Sequence, residues 1–280
     1  MGVNTLVLNN TNVVGQNNST FQYNFISGNF NVKEDSEICV SSITLPYSWF
    51  NISAALNNNK FSIGWVVGST QQQTSLTIPD GFYTTDDINN FLQQQMIANG
   101  VYLIDSNGKN VYYLQLLTNQ TYYANQILAT MMPTSLPSGY TQPSNFAGYP
   151  TVTRTMYISF PSKISTVLGF SNAIAYGSST TTSKSYLSSS TPKATDVNSI
   201  VVRCSLVDNG IAFPTDILDT FPIENVSFGS NINYNPSFEK WVKLRKGTYS
   251  SFSVTFTDEN FNTLLARDAN TTISLLIRTK

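Results

Sequence analysis

The stretch from Glu239 to Lys280 limits the possible folds most, because apolar and polar residues alternate in it over the length of a strand. Phe252, Val254 and Phe256 are separated by serine and threonine residues. Side chains alternate between the two faces of a strand, so this run predicts a half-buried β-strand with a polar outer face. A second β-rich run over 271–278 follows an acidic turn, and we expect the two runs to form a hairpin. Such strands need antiparallel partners, which the rest of the chain has to supply.

Short β-like runs occur on both sides of a central part of different character. Before the centre, the predicted strands lie at 3–8, 20–26, 30–32, 38–45, 61–67 and 74–78, and after it they lie at 200–207, 226–234 and 241–244. Each run is bounded by Gly, Pro, Asn, Asp or Ser, as is typical of strands.

The centre contains the one strong helix pattern, from Thr84 to Gly100. Thr84 caps the helix together with Asp87, and Gly100 closes it. The apolar stripe consists of Ile88, Phe91, Leu92 and Met96. Beyond the helix, Asn107-Gly108 predicts a hairpin turn.

Two further central segments lack strand or helix periodicity. Residues 131–150 are rich in Pro, Gly and Ser and predict an irregular loop. Residues 178–190 are low in complexity and too polar to bury themselves, which predicts a mobile loop or exposed excursion.

This order of elements predicts a mainly all-β protein: a single jelly-roll β-sandwich with an inserted smaller α+β module. The first part of the jelly roll is expected over 1–78, the insertion module over 79–195 and the second part over 196–280. Neither outer part has enough strands to close alone, whereas together they reach the number that a jelly roll needs.

Charged residues make up 11% of the chain, against about 25% in ordinary soluble domains. Few charges and many aromatic residues favour surfaces that contact other proteins.

The net charge of -1 does not indicate the basic surface that nucleic-acid binding needs. The local basic residues Lys240, Lys243, Arg245 and Lys246 most simply form the solvated face of one strand, so a nucleic-acid partner is not expected.

The chain contains no histidine, which removes Ser-His and Cys-His nucleophile pairs and the commonest metal ligand. Asp216 and Asp219 leave open a glycosidase pair, and acidic turns leave open a calcium site, although no loop has EF-hand spacing. No set of convergent residues supports catalysis. We therefore expect no catalytic, cofactor-binding or metal site, no cofactor and no enzymatic activity.

Cys39 and Cys204 each lie in an apolar run and are expected to be small buried residues, with a single bridge between them left open.

Neither a secretory signal nor an apolar run of membrane-spanning length is apparent, which predicts a soluble protein made inside the cell. The bulky aromatic residues favour a core or subunit interface over a sugar-binding platform; they are Trp49, Phe50, Trp65 and Trp241.

Four segments carry a family resemblance through their order. They are Ser42–Ile52 with its Pro-Tyr-Ser-Trp-Phe-Asn-Ile run followed by Asn59-Lys60-Phe61, Pro79–Thr84 leading into the helix, Val167-Leu168-Gly169-Phe170, and the ending from Asn231 to Lys280. Together they resemble the penton proteins, also called vertex or minor capsid proteins, of virophages and Polinton-like DNA viruses.

The resemblance implies a single jelly roll with an insertion that forms homopentamers at the fivefold vertices of an icosahedral capsid, beside the major capsid protein. It implies a place in the virion, after synthesis in the host cytoplasm, and no small-molecule substrate. The alternative is a receptor- or carbohydrate-binding jelly-roll protein of a virion fibre or tail.

Overall fold

The computed structural model describes residues 2–161, 163–171, 175–177, 180–193 and 197–279. The chain divides into two compact units. The first unit is formed by two separate lengths of chain, Met1–Trp49 and Val197–Lys280, and the second unit is the continuous stretch Phe50–Asp196.

Strands account for most of the regular structure, which confirms the mainly all-β prediction. The first length of the first unit contains β1 (Gly2–Leu8), β2 (Thr20–Asn24), β3 (Phe30–Val32) and β4 (Glu37–Pro46). The second unit contains β5 (Lys60–Val67), β6 (Thr70–Thr77), α1 (Thr85–Ala98), β7 (Tyr102–Ile104), β8 (Asn110–Tyr112), β9 (Leu114–Asn119), β10 (Ala124–Ala129), β11 (Met131–Met132), β12 (Arg154–Thr155), β13 (Tyr157–Ser159), α2 (Ile164–Leu168), β14 (Ala175–Tyr176) and β15 (Lys184–Leu187). The second length of the first unit contains β16 (Ser199–Cys204), β17 (Ile217–Pro222), β18 (Asn231–Tyr234), β19 (Val242–Lys243), β20 (Gly247–Tyr249), β21 (Ser251–Thr257) and β22 (Thr272–Thr279). Short 3-10 helices cover Asn10–Asn12 and Gln120–Tyr122.

The first unit has the strand order of a jelly roll. One sheet runs β1-β22-β4-β18, with β19 also beside β4, and the other runs β17-β16-β21-β2. All these neighbours are antiparallel. When the eight main strands are counted along the chain, the two sheets read 1-8-3-6 and 2-7-4-5, the order produced by two interlocked Greek keys. The predicted single jelly roll with an insertion is therefore confirmed by topology.

Alternating residues of both sheets form the core of the sandwich. Phe252, Val254 and Phe256 of β21 are buried, as their spacing predicts. In β22, Ile273, Leu275 and Ile277 are buried in the same alternating way. Because successive side chains of a strand face opposite ways, β21 and β22 each contribute one buried face to the core.

The predicted hairpin between the last two strands is wrong. β21 pairs with β2 and β16, whereas β22 pairs with β1 and β4 in the other sheet. The connection over 258–271 is too long for a tight hairpin and carries the chain from one sheet to the other.

The boundary between the units also differs from the sequence-based expectation. It lies after Trp49 rather than after residue 78. β5 and β6 pair with each other, and β5 pairs on its other side with β13 of the second unit. An alternating pattern shows that a segment is a strand, but it does not say which sheet the strand joins.

In the second unit, α1 forms where it was predicted. Thr84 and Asp87 make a reciprocal capping box, and Ile88, Leu92 and Met96 are buried. The helix packs in a core with residues of β5, β9, β10 and β13. The main sheets here run β14-β13-β5-β6 and β15-β10-β9.

The turn at Asn107-Gly108 joins β7 and β8 in an antiparallel pair, as predicted. Residues 178–190 were predicted to form a mobile loop or exposed excursion, and Lys184–Leu187 instead forms the ordered strand β15 against β10. Backbone hydrogen bonds to β10 hold this strand, and most of its side chains are exposed, as an exposed excursion predicts. Ser178 and Ser179 lie outside the described residues. Among the described helices, none is long and apolar enough to cross a membrane.

Candidate functional site

The two acids considered for a glycosidase pair are held in separate ion pairs. Asp216 accepts hydrogen bonds from Nε and Nη2 of Arg203, with distances of 3.1 Å and 2.8 Å to Oδ2. Asp219 accepts from Nζ of Lys240 at 2.8 Å and from the hydroxyl of Tyr234 at 2.9 Å. Each carboxylate is thus neutralised by its own cation, which is the arrangement of structural ion pairs rather than of an acid and base facing a substrate.

The amine of Lys240 is not available as a nucleophile at neutral pH. The hydrogen bond that it donates to Asp219 raises the pKa of Lys240, and burial only partly offsets this effect. A catalytic lysine needs the opposite shift, since only the neutral amine attacks an electrophile.

The cysteines lie apart in the first unit, buried and unbridged. Cys39 lies in β4 and Cys204 in β16. Burial raises the pKa of Cys39 to about 11 and that of Cys204 to about 12. Because the thiolate is the reactive form, both thiols are inert at neutral pH. Within the described ranges, no cluster of Cys, Asp and Glu residues could hold a metal ion.

The tryptophans do not line an exposed sugar platform. Trp49 and Trp65 are buried. Trp241 is half-buried, with the guanidinium of Arg278 4.0 Å above its ring and its indole N–H donating to Glu239. The favoured interpretation of Trp49 and Trp65 as core residues agrees with this burial.

The most exposed apolar residues of the jelly roll lie at one end of the sandwich. Three connections lie there, 25–36, 205–216 and 235–250. The exposed fractions at this end are 96% for Ile26, 100% for Ile211, 92% for Phe213 and 66% for Phe238. We call this end the apolar end.

Backbone hydrogen bonds tie the three connections of the apolar end together. The amide of Leu244 donates to the carbonyl of Ser36 at 2.9 Å. The amide of Arg245 donates to Leu206 at 2.7 Å, and that of Asp208 donates to Lys243 at 2.9 Å. The exposed apolar side chains therefore belong to three connections whose backbones are hydrogen-bonded to one another.

The connection over 205–216 is closed at its base as well. The Arg203–Asp216 ion pair spans the start of the connection and its end, and the amide of Asn209 donates to Thr215 at 2.7 Å. Ile211 and Phe213 lie between Asn209 and Thr215, at the tip of the connection. Anchoring at the base reduces the conformational freedom that this connection would lose on binding, which favours contact with another protein surface.

The basic residues predicted to lie on one strand face are less regular than expected. Only Val242 and Lys243 form a strand, and Leu244 is buried. Lys243, Arg245 and Lys246 are exposed, and Lys246 lies 3.5 Å from Glu34. Acidic residues at the same end dilute the positive charge, so the structure adds nothing in favour of a nucleic-acid site.

Comparisons with known proteins return structural neighbours only. No model of a protein family matches the chain, and no curated protein matches it. The selenomethionine-labelled penton protein of mavirus matches with a TM-score of 0.44 and 13% identity, over 99% of this chain and 98% of that one. A chain of the Sputnik virophage structure matches with a TM-score of 0.41 and 11% identity, over 98% and 97%. At these scores and identities, the likeness to virophage proteins does not by itself assign a function to this chain.

Proposed function

We propose that this chain is a structural protein of an icosahedral viral capsid and that it forms homopentamers at the fivefold vertices. Its partners would be four further copies of itself and the major capsid protein of the same particle. Its activity is assembly, and it needs neither a catalytic residue nor a cofactor. The place of the protein would be the capsid vertex of the virion.

The apolar end of the jelly roll is the observation that carries this proposal. Large apolar residues left exposed at one end of a fold favour a contact with another protein. Ile211 and Phe213 are nearly fully exposed although they belong to a braced connection rather than to a loose terminus. The four ordered sequence segments that resemble penton proteins indicate which kind of assembly this contact serves.

A ring of identical subunits uses two different surfaces on each copy, and it closes when the rotation between neighbours divides a full turn. A low fraction of charged residues suits such contacts, because charges are depleted in the cores of interfaces. Asn, Gln, Ser and Thr supply the polar surface of the free subunit without the desolvation cost that charged groups carry.

Native mass spectrometry of the purified full chain tests the proposal. We expect a species with the mass of five chains, in an amount that grows with protein concentration. A trimer at every concentration would contradict the pentamer and favour a fibre or tail protein.

A further inference from the structure

The second unit has a cavity of about 310 Å³ that is partly open to solvent. Residues at the start of α1, the end of β9, the 3-10 helix at Gln120–Tyr122, the start of β10 and the end of α2 line it. Its apolar wall includes Ile88, Val167 and Leu168, all of them buried. The volume falls at the lower end of the range typical of small-molecule sites.

The lining is uncharged but not wholly apolar. None of the described residues that line the cavity is Lys, Arg, Asp or Glu. Tyr83, Thr118 and Tyr123 contribute hydroxyl groups, and Gln120 contributes an amide. These four side chains make no hydrogen bond to the described part of the chain, so they are available to a ligand.

Asn125 fixes the inner wall. Its side chain accepts a hydrogen bond from the hydroxyl of Thr85 at 3.0 Å and donates to the carbonyl of Leu168 at 3.2 Å. Its backbone N–H donates to the hydroxyl of Ser188 at 3.1 Å. One buried residue thus joins α1, α2 and the segment after β15.

Tyr123, which lines the cavity, has an unfavourable backbone conformation. Its φ of 49° and ψ of 47° lie in the left-handed region, where Gly and Asn are preferred. Its side chain is 76% exposed, so packing in the core does not explain why a tyrosine occupies the position. An exposed aromatic ring beside a cavity offers a surface on which a ligand can stack.

We propose that the cavity binds a neutral carbohydrate. A sugar ring offers an apolar C–H face to Tyr123 and hydroxyl groups to Tyr83, Thr118 and Gln120. A purely apolar ligand would give those polar groups no hydrogen bond. A charged ligand would find no counter-ion in the lining. The proposal rests on other residues than the proposed pentamer does, since every residue involved belongs to the second unit.

The test is a titration of the full chain, followed by NMR, with glucose, galactose, mannose and N-acetylglucosamine, and with sialic acid as the charged comparison. We expect saturable binding of at least one neutral sugar and no binding of sialic acid. Tyr123→Gly should weaken binding about tenfold, in line with the loss of an aromatic contact. The same change should leave the melting temperature equal or higher, because Gly suits the left-handed backbone.

Tyr122→Ala is the matched control. Tyr122 is also exposed and adjacent in sequence, but it does not line the cavity. We expect its affinity for the same sugar to stay within about twofold of the unaltered chain. Toluene serves as a probe for a purely apolar site.

Three results would overturn the proposal: no saturable binding of any neutral sugar, equal binding by the Tyr123→Gly variant, or binding of toluene or sialic acid in place of neutral sugars. A pentamer that binds no sugar would refute this inference alone. A chain that binds sugar through Tyr123 but never forms a pentamer would refute the proposed function alone.

Discussion

Nζ of Lys240 lies 2.8 Å from Oδ1 of Asp219, whose side chain is only 4% exposed. The hydroxyl of Tyr234 donates to the other carboxylate oxygen, and its ring stacks on Phe221 with 4.4 Å between the centroids. Asp219 and Phe221 belong to β17, whereas Tyr234 belongs to β18 of the other sheet. The buried carboxylate therefore holds the two layers of the sandwich together at one edge.

Lys240→Met should lower the free energy of unfolding by about 1–3 kcal/mol, because it removes a charged hydrogen bond from a buried carboxylate. Urea denaturation measures the change. The control is Lys243→Met, which alters an exposed lysine nearby and should stay within about 0.5 kcal/mol of the unaltered chain. Equal effects of the two substitutions would show that the contact with Asp219 contributes nothing.

The stability of the sandwich should fall above pH 9. Burial raises the pKa of Cys204 to about 12 from an ordinary value of 9.0, so the unfolded chain loses this proton first as the pH rises. Each such thiol removes up to about 1.4 kcal/mol per pH unit between its unfolded and folded pKa values. Cys204→Ala should be less stable at pH 8 but should lose stability less steeply from pH 9 to 11 in urea denaturation. Parallel curves for the two proteins would contradict the assigned cause.

Two free thiols should be found when the chain is unfolded without a reductant, since Cys39 and Cys204 are unbridged. The folded protein should react far more slowly with a chromogenic disulfide reagent at pH 8, because both thiols are buried and protonated. A count of zero after unfolding would indicate a bridge between them.

The combined substitution Ile211→Ser and Phe213→Ser should reduce assembly without harming the fold. Both side chains are nearly fully exposed in the single chain, so their loss leaves no cavity. We expect an unchanged melting temperature for the monomer and at least a tenfold higher concentration for half-assembly in native mass spectrometry, about 1.4 kcal/mol. Val152→Ser, at an exposed apolar residue of the second unit, is the control. Unaltered assembly of the double variant would remove the apolar end from the interface.

Gly100→Ala should lower the free energy of unfolding by about 1–3 kcal/mol. Gly100 has a φ of +66°, and an added Cβ would collide with the backbone carbonyl of Asn145. Gly108 has a similar φ of +77° in the β7–β8 turn but faces open space. Gly108→Ala therefore measures the cost of the backbone conformation alone, and thermal unfolding of both variants isolates the part due to the collision. Equal losses would mean that the Asn145 segment moves aside freely.

Local patterns were sufficient to predict much of the fold. The alternation of Phe252, Val254 and Phe256 predicts β21, and Thr84 with Asp87 predicts the start of α1, because strand faces and helix caps depend on residues close in sequence. The long polar and mixed stretch between the outer strands likewise indicated an insertion.

The strand β17 was missed in sequence analysis because Asp219 interrupts its apolar residues. The carboxylate accepts from the neighbouring Thr220 amide and from Lys240 and Tyr234. The last two lie further along the chain and are recognisable as partners only in three dimensions. The exposed residues of the apolar end were missed for the same reason. Ile26, Ile211 and Phe238 come from three connections that the strand order brings to one end. The cavity beside Tyr123 likewise draws on five separate elements of the second unit.

The pairing of β1 with β22 has a consequence for how the protein acquires its shape. Gly2 lies opposite Thr279, and Thr20 lies opposite Thr255. During translation, the early strands leave the ribosome long before their partners are made, while the continuous stretch 50–196 emerges with its own partners close by. Contacts between neighbouring parts of a chain form faster than contacts between distant parts. The middle of the polypeptide is therefore expected to become ordered first, and by becoming compact it shortens the distance over which the early and late strands have to meet.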